Sequence, residues 1–178
     1  MKKVVVIKSS KRRMSNSSLL ADKFADGARS AGNDVTVLDL AELSIGFCLG
    51  CLACQKGNHV CVLKDDAEKV NGAISVADVV VLATPVYFYN VSAMLKNALD
   101  RTNPLYDVKK CFDVYVITSS ADYDSATEKV VNAIKGWTEC FDGVEIKGVV
   151  GGTGLENPAD ALKDATLMNT AFEMGQNV

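Results

Sequence analysis

The sequence predicts an α/β fold: a three-layer, doubly wound domain built on a five-stranded parallel sheet. Three observations carry that reading. Runs such as Lys3-Val4-Val5-Val6-Ile7 and Asp78-Val79-Val80-Val81-Leu82-Ala83 are apolar without alternation, as strands are when a parallel sheet is covered on both faces. Between such runs, apolar residues recur at three- and four-residue spacing, which marks helices with one buried stripe. The two patterns alternate five times, and that order calls for right-handed crossovers and helices on both sides of the sheet.

Each element has its own signal. The first strand, Lys3 to Ile7, leads into the polar stretch Ser9 to Ser18 and then a helix on Leu20, Phe24 and Ala28, with Gly32 as its C′ residue. Asp34 to Leu40 reads as the second strand. Asp65-Asp66 opens a helix to Ala77, with Asp65 and Glu68 at capping-box spacing. The third strand, Asp78 to Ala83, cannot extend through Pro85, which has no N–H. Val91, Met94, Leu95, Ala98 and Leu99 then fall on one helical face. Phe112 to Thr118 is the fourth strand, and Ser125-x-x-Glu128 begins a helix with Val130, Ala133, Ile134 and Trp137 toward the core. Val144 to Val150 is the fifth strand. Asn157-Pro158 supplies the N-cap and first residue of a closing helix.

At 178 residues and 48% hydrophobic, with no linker-like stretch, the chain is expected to form one domain over residues 1–178. A net charge of −3 and dispersed basic residues, Lys11-Arg12-Arg13 apart, argue against a nucleic-acid partner. No apolar stretch reaches the roughly 18 to 20 residues of a membrane span and no cleavage pattern follows the first strand, so a cytoplasmic protein without a membrane partner is expected. Six cysteines, four of them between Cys48 and Cys61, fit reduced thiols or a metal site better than a disulfide framework.

Two loops at strand ends are candidates for function, since ligands of open α/β sheets bind at the carboxyl ends of strands. The first holds Ser10, Arg12, Asn16, Ser17 and Ser18 at a helix N-terminus, where backbone N–H groups and the helix dipole favour an anion such as phosphate. Simple helix capping by Ser15, Asn16 and Ser17 competes with that reading. The second, Pro85, Val86, Tyr87, Phe88, Tyr89 and Asn90, offers aromatic and amide groups that suit a flat polar ring. Neither a Walker pattern nor a complete Gly-x-Gly-x-x-Gly fingerprint is present, and Gly151-Gly152-Thr153-Gly154 reads as a flexible loop near the ligand.

On these residues the chain resembles the flavodoxin-like NAD(P)H-dependent FMN reductases and, among them, the iron-sulfur flavoproteins. Ser10, Arg12, Asn16 and Ser17 match the family's phosphate loop, and Thr84-Pro85-Val86-Tyr87-Phe88 with Asn90 its flavin loop. Lys96, Asp100 and Arg101 match the following helix, and Cys48, Cys51, Cys54 and Cys61 before Asp65-Asp66 its cysteine segment. Ser9 departs from the usual glycine, and Ser17 replaces threonine. The resemblance implies a flavodoxin-like strand order 2-1-3-4-5 and FMN spanning the two loops. Ser10, Arg12, Asn16, Ser17 and Ser18 would take its phosphate, Pro85, Val86, Tyr87, Phe88 and Asn90 its ring, and Thr118, Ser119, Ser120 and Ala121 the ring's polar edge. Tyr87 and Phe88 as dimer contacts, with Tyr89 simply exposed, remain the alternative.

The implied function is an FMN-dependent oxidoreductase that takes hydride from NAD(P)H and passes electrons to a quinone, flavin or other small-molecule acceptor by a ping-pong route. It implies a homodimer or homotetramer. No catalytic side chain is expected, because FMN carries the chemistry. For the cysteines three readings stand: a [4Fe-4S] cluster on Cys48, Cys51, Cys54 and Cys61, making the protein an electron carrier between protein partners; structural zinc; or thiols with no metal. Cys111 and Cys140 are assigned to packing.

Overall fold

A parallel sheet in the order β2-β1-β3-β4-β5 organises the computed structural model, which describes residues 1–109 and 111–178. Its strands are β1 (Lys3–Lys8), β2 (Asp34–Asp39), β3 (Val79–Pro85), β4 (Asp113–Ser119) and β5 (Glu145–Gly152). Both the predicted architecture and the predicted order are present, and the order reverses between β1 and β3. Every residue of β3 is buried, which is why its sequence is apolar without a period.

The two faces of that strand feed two cores. Val79, Val81 and Ala83 join Val4, Val6, Leu20, Phe24 and Ile117 under α1 (Asn16–Ser30) and α6 (Ala165–Gln176). Val80 and Leu82 join Val5, Ile7, Val114 and Val116 on the opposite face. That face is covered by Val70 and Ile74 of α3 (Ala67–Val76), Leu95 and Leu99 of α4 (Ala93–Asp100), and Val130 and Ile134 of α5 (Asp124–Thr138). A short helix, α2 (Ala53–Lys56), lies in the cysteine segment. Burying each such side chain stabilises the fold by about 1.5–3 kcal/mol before chain entropy is charged against it. Trp137 packs on Phe112 and Phe141, and its indole N–H donates to Thr102 Oγ1 at 3.0 Å, a core role as expected.

Several boundaries differ from the sequence reading, each for a visible reason. Gly32 is the C′ residue expected, at φ 83°. Pro85 is the last residue of β3 rather than the first beyond it, paired in register with Ser119, because Val86 supplies the next N–H, to the Ser119 carbonyl at 2.9 Å. Asp65 does not cap by a box with Glu68; its carboxylate is drawn to Arg101, and α3 starts at Ala67. Ser125 does not cap either, since α5 already starts at Asp124. Asn157-Pro158 precedes a 3₁₀ turn, Asp160–Lys163, and α6 is capped instead by Asp164, whose Oδ1 accepts the Leu167 N–H at 2.9 Å. Cys111 and Cys140 are exposed and not packed as expected. Among the described residues no helix is long and apolar enough to cross a membrane.

Candidate functional site

At the carboxyl ends of the strands a cleft opens where four loops meet. Ser10, Arg12, Ser15 and Asn16 line it from the loop after β1, and Pro85, Val86 and Tyr87 from the end of β3. Ser119, Ser120 and Ala121 line it from the end of β4, with Leu155 and Glu156 from the loop after β5. The sequence reading missed Leu155 and Glu156; the Gly-Gly-Thr-Gly run just before them was the only hint. Other predicted residues stand behind or beside the cleft. Ser17 is wholly buried, and Thr118 is buried against the Thr127 hydroxyl at 3.0 Å. Ser18 lines a neighbouring groove with Lys8 and Lys11. Asn90 spends its side-chain oxygen on the Val91 N–H at 2.8 Å, and Phe88 is fully exposed.

The start of α1 is open to an anion. Ser15 occupies the N-cap position with extended backbone, yet no side chain caps the helix and no acidic residue lies in its first turn. Helix starts leave N–H groups unpaired and carry partial positive charge. Ser15 and Ser17 hydroxyls bond each other at 3.1 Å instead of capping, so the capping alternative finds no hydrogen bond here. Asn16 is not in a solvent-facing position. Its amide donates to the Asn157 carbonyl at 2.9 Å, and its oxygen accepts the Ala161 N–H at 3.0 Å. Arg12 donates from both terminal nitrogens to the Glu156 carbonyl at 3.1 Å, which uses two of a guanidinium's five donors. Asn16 and Arg12 thus hold the loop after β5 against the helix start and make the cleft's fourth wall.

The aromatic loop is a tight turn. Tyr87 and Asn90 exchange two backbone hydrogen bonds, each 3.0 Å, and the central residues Phe88 and Tyr89 have φ of 48° and 58°. Two left-handed residues define a type I′ turn, for which Asn-Gly is the usual sequence. The Tyr89 hydroxyl donates to the Asp122 carboxylate, and Lys129 Nζ lies 4.5 Å from the Tyr89 ring centroid. That bond pushes the phenol's pKa up, with the carboxylate's charge adding to it, and pulls the Asp122 pKa down. At the foot of the turn Ser92 caps α4 and its hydroxyl donates to the Ser9 carbonyl at 3.0 Å, which joins the two functional loops.

The four cysteines share a second concavity. Cys48, Cys51, Cys54 and Cys61 line it together with Asp100, Arg101 and Asn103. Arg101 is 2% exposed in its side chain and reaches Asp65 in bidentate fashion, at 2.7 and 2.9 Å. It also donates to the Gly46 carbonyl at 2.7 Å and to Cys61 Sγ at 3.4 Å. The Asp65 carboxyl is pulled from 3.8 to about 2, chiefly by the Arg101 hydrogen bonds and further by the N–H groups of Gly46 and Ala67. Four cysteine residues bordering one hollow are the residue type that ligates an iron-sulfur cluster. Among the described residues, however, no three His, Cys, Asp or Glu side chains converge as a ready metal site. His59 lines a separate groove with Cys61 and Asn71.

Residues 2–113 match the family of NADPH-dependent FMN reductases. This chain belongs to that family. An iron-sulfur flavoprotein of Archaeoglobus fulgidus is 37% identical over 87 residues, 49% of this chain and 42% of the relative. An NAD(P)H-dependent FAD/FMN reductase of Geobacillus thermodenitrificans is 31% identical over 71 residues, 40% of this chain and 35% of the relative. These alignments span about half or less of the curated relatives' length. The azoreductase of Bacillus anthracis superposes over 100% of both chains with a TM-score of 0.79 at 18% identity, which shows the shared flavodoxin-like fold. The family's FMN fits the cleft: an uncapped helix start with buried Ser10 and Ser15 suits a phosphate, and Pro85, Val86 and Tyr87 facing Ser119 and Ser120 suit a flat ring with polar edges.

Proposed function

We propose that residues 1–178 act as a single FMN-binding oxidoreductase domain that uses NAD(P)H as hydride donor and a quinone, flavin or other small molecule as acceptor. The cleft carries this reading, because one concavity joins an anion-ready helix start to an aromatic turn at the point where the strand order reverses. The Asn16, Ser17 and Ser18 backbone, with the Ser10 and Ser15 hydroxyls and Arg12, would hold the phosphate. Pro85, Val86 and Tyr87 would carry the ring, and Ser119 to Ala121 its polar edge. When bound, FMN supplies the hydride and electron chemistry. The protein's part is to bind, orient and leave one side of the cleft open. One open slot serving donor and acceptor in turn gives a ping-pong pattern.

The domain is proposed to work in the cytoplasm as a homodimer or homotetramer. Tyr87, Phe88, Tyr89 and Tyr123 stand exposed around the aromatic turn, a surface of the kind subunits cover. Sedimentation analysis checks the assembly. For the activity, the test is FMN titration followed by steady-state NADPH and NADH oxidation with a quinone. Absence of tight FMN binding refutes the reading. Parallel initial-rate lines support the shared slot, and intersecting lines refute it.

A second reading, an iron-sulfur flavoprotein relaying electrons between protein partners, is favoured by one observation: four cysteine residues border a single hollow. Anaerobic purification with iron, sulfide and visible absorption measurements decides it. A preparation with flavin bands and no iron leaves the first reading alone.

A further inference from the structure

The aromatic turn places two bulky residues, Phe88 and Tyr89, consecutively in the left-handed region. Each such residue costs about 1–2 kcal/mol relative to ordinary backbone, so something must hold the turn in place. Its own two hydrogen bonds close it, and its base is pinned by the Val86 N–H on the Ser119 carbonyl and by the Ser92 hydroxyl on the Ser9 carbonyl. The contact that holds its tip is the Tyr89 phenol on the Asp122 carboxylate, with Lys129 over the ring. Asp122 is itself anchored. Its other carboxylate oxygen accepts the Tyr123 N–H at 2.9 Å, and its carbonyl accepts the Ser120 hydroxyl at 3.1 Å and the Gly154 N–H at 3.4 Å. The two ends of this tie adjoin opposite walls of the cleft, since Tyr87 lines one and Ser120 and Ala121 the other. Tyr89 itself does not line the cleft.

We infer that Tyr89 is a positioning residue: its hydrogen bond to Asp122 straps the aromatic turn to the loop after β4 and sets the width of the cleft. The inference rests on the FMN reading above for what occupies that cleft. A fixed gap matters because a site preorganised to its ligand spends no binding energy closing on it. It also accounts for an aromatic residue in a turn that favours Asn-Gly, since glycine has no side chain with which to reach Asp122.

The full chain, FMN-free and FMN-loaded, provides the test, with Tyr89→Phe, Asp122→Ala and Asp122→Asn. In the FMN-free protein, amide exchange at Tyr87 and Asn90 is expected to quicken about tenfold in Tyr89→Phe and Asp122→Ala, the size of one hydrogen bond to a charged group. Asp122→Asn retains an oxygen for the Tyr123 N–H and an amide that can donate to the phenol, so it should stay within about threefold of wild type. The FMN dissociation constant should rise in the same order, with thermal stability unchanged because the tie lies at the surface. Wild-type exchange or wild-type FMN affinity in Tyr89→Phe overturns the inference, as does Asp122→Asn behaving like Asp122→Ala. If wild-type protein binds no FMN, the parent reading falls, and the exchange rates at Tyr87 and Asn90 still decide whether the strap exists.

Discussion

Replacing Asp65 by Asn should destabilise the protein by about 2 kcal/mol at pH 7, and the loss should fade as the pH falls. The Asp65 carboxyl sits at about 2 in the folded protein against 3.8 for the free group. At ~1.4 kcal/mol per pH unit, that gap corresponds to about 2 kcal/mol of stability carried by the ionised form. Because the folded value is the lower one, the contribution is complete above pH 3.8 and is lost as pH falls toward 2. About half remains at pH 3 by the same linkage relation. Breaking a fully buried pair costs about 3–5 kcal/mol. The lower figure is expected because the Asp65 side chain keeps 18% of its exposure while that of Arg101 keeps 2%.

Urea unfolding of wild type and Asp65→Asn at pH 7, 4 and 3 provides the measurement. The difference in stability should be nearly constant from pH 7 to 4 and then narrow. A difference that stays constant down to pH 3, or a variant as stable as wild type at pH 7, refutes the argument that Arg101 and Asp65 form a linked ion pair. Arg101→Lys should be costly as well, since one ammonium cannot replace the bidentate contact with Asp65 together with the bonds to Gly46 and Cys61.

Other outcomes follow from the same geometry. Arg12→Ala should weaken FMN binding with little effect on thermal stability, whereas Asn16→Ala should cost both, by about 1–3 kcal/mol of stability, since the Ala161 N–H and Asn157 carbonyl lose their buried partner; FMN titration and melting of each variant separate the two. Gly175→Ala should unfold or strongly destabilise the chain, because a Cβ there would lie 2.0 Å from the Phe24 carbonyl oxygen across the α1–α6 contact; a melting temperature within a few degrees of wild type would contradict it. If iron is present, Cys51→Ser and Cys54→Ser should each remove it and spare FMN, as judged by metal and flavin content. Loss of flavin with the iron would contradict the separation of the two concavities.

What the sequence disclosed depended on where each residue's partner lies. Val79 to Ala83 could be read as a strand because burial on both faces leaves a one-dimensional mark, and the fold followed from counting such marks. The loop from Ser10 to Ser18 and the aromatic loop could be placed beside each other only through the strand order that the family resemblance implies, and the sheet has that order. Some boundaries shifted where a polar side chain had a distant partner. Asp65 accepts the Ala67 N–H at the start of α3 at 3.0 Å, yet its carboxylate is shared with a buried guanidinium, and nothing near it in sequence announces Arg101. Asn16 reads in sequence as a phosphate-loop or capping residue, yet its amide is satisfied by a loop far along the chain.

Phe88 and Tyr89 gave no local sign of a left-handed turn, since that backbone is a property of glycine and asparagine and not of aromatics. The Tyr87–Asn90 hydrogen bonds close the turn, and the Asp122 contact gives the Tyr89 side chain its place. The same argument separates two kinds of information in this chain. Apolar periodicity reports burial and is legible alone. A polar residue reports only that it needs a partner, and its role is decided by which partner the fold delivers. For Ser15 the fold delivers the Ser17 hydroxyl as partner, and the Ser15 side chain caps no N–H at the start of α1. That open helix start, more than any residue match, is the physical reason to expect an anion in the cleft.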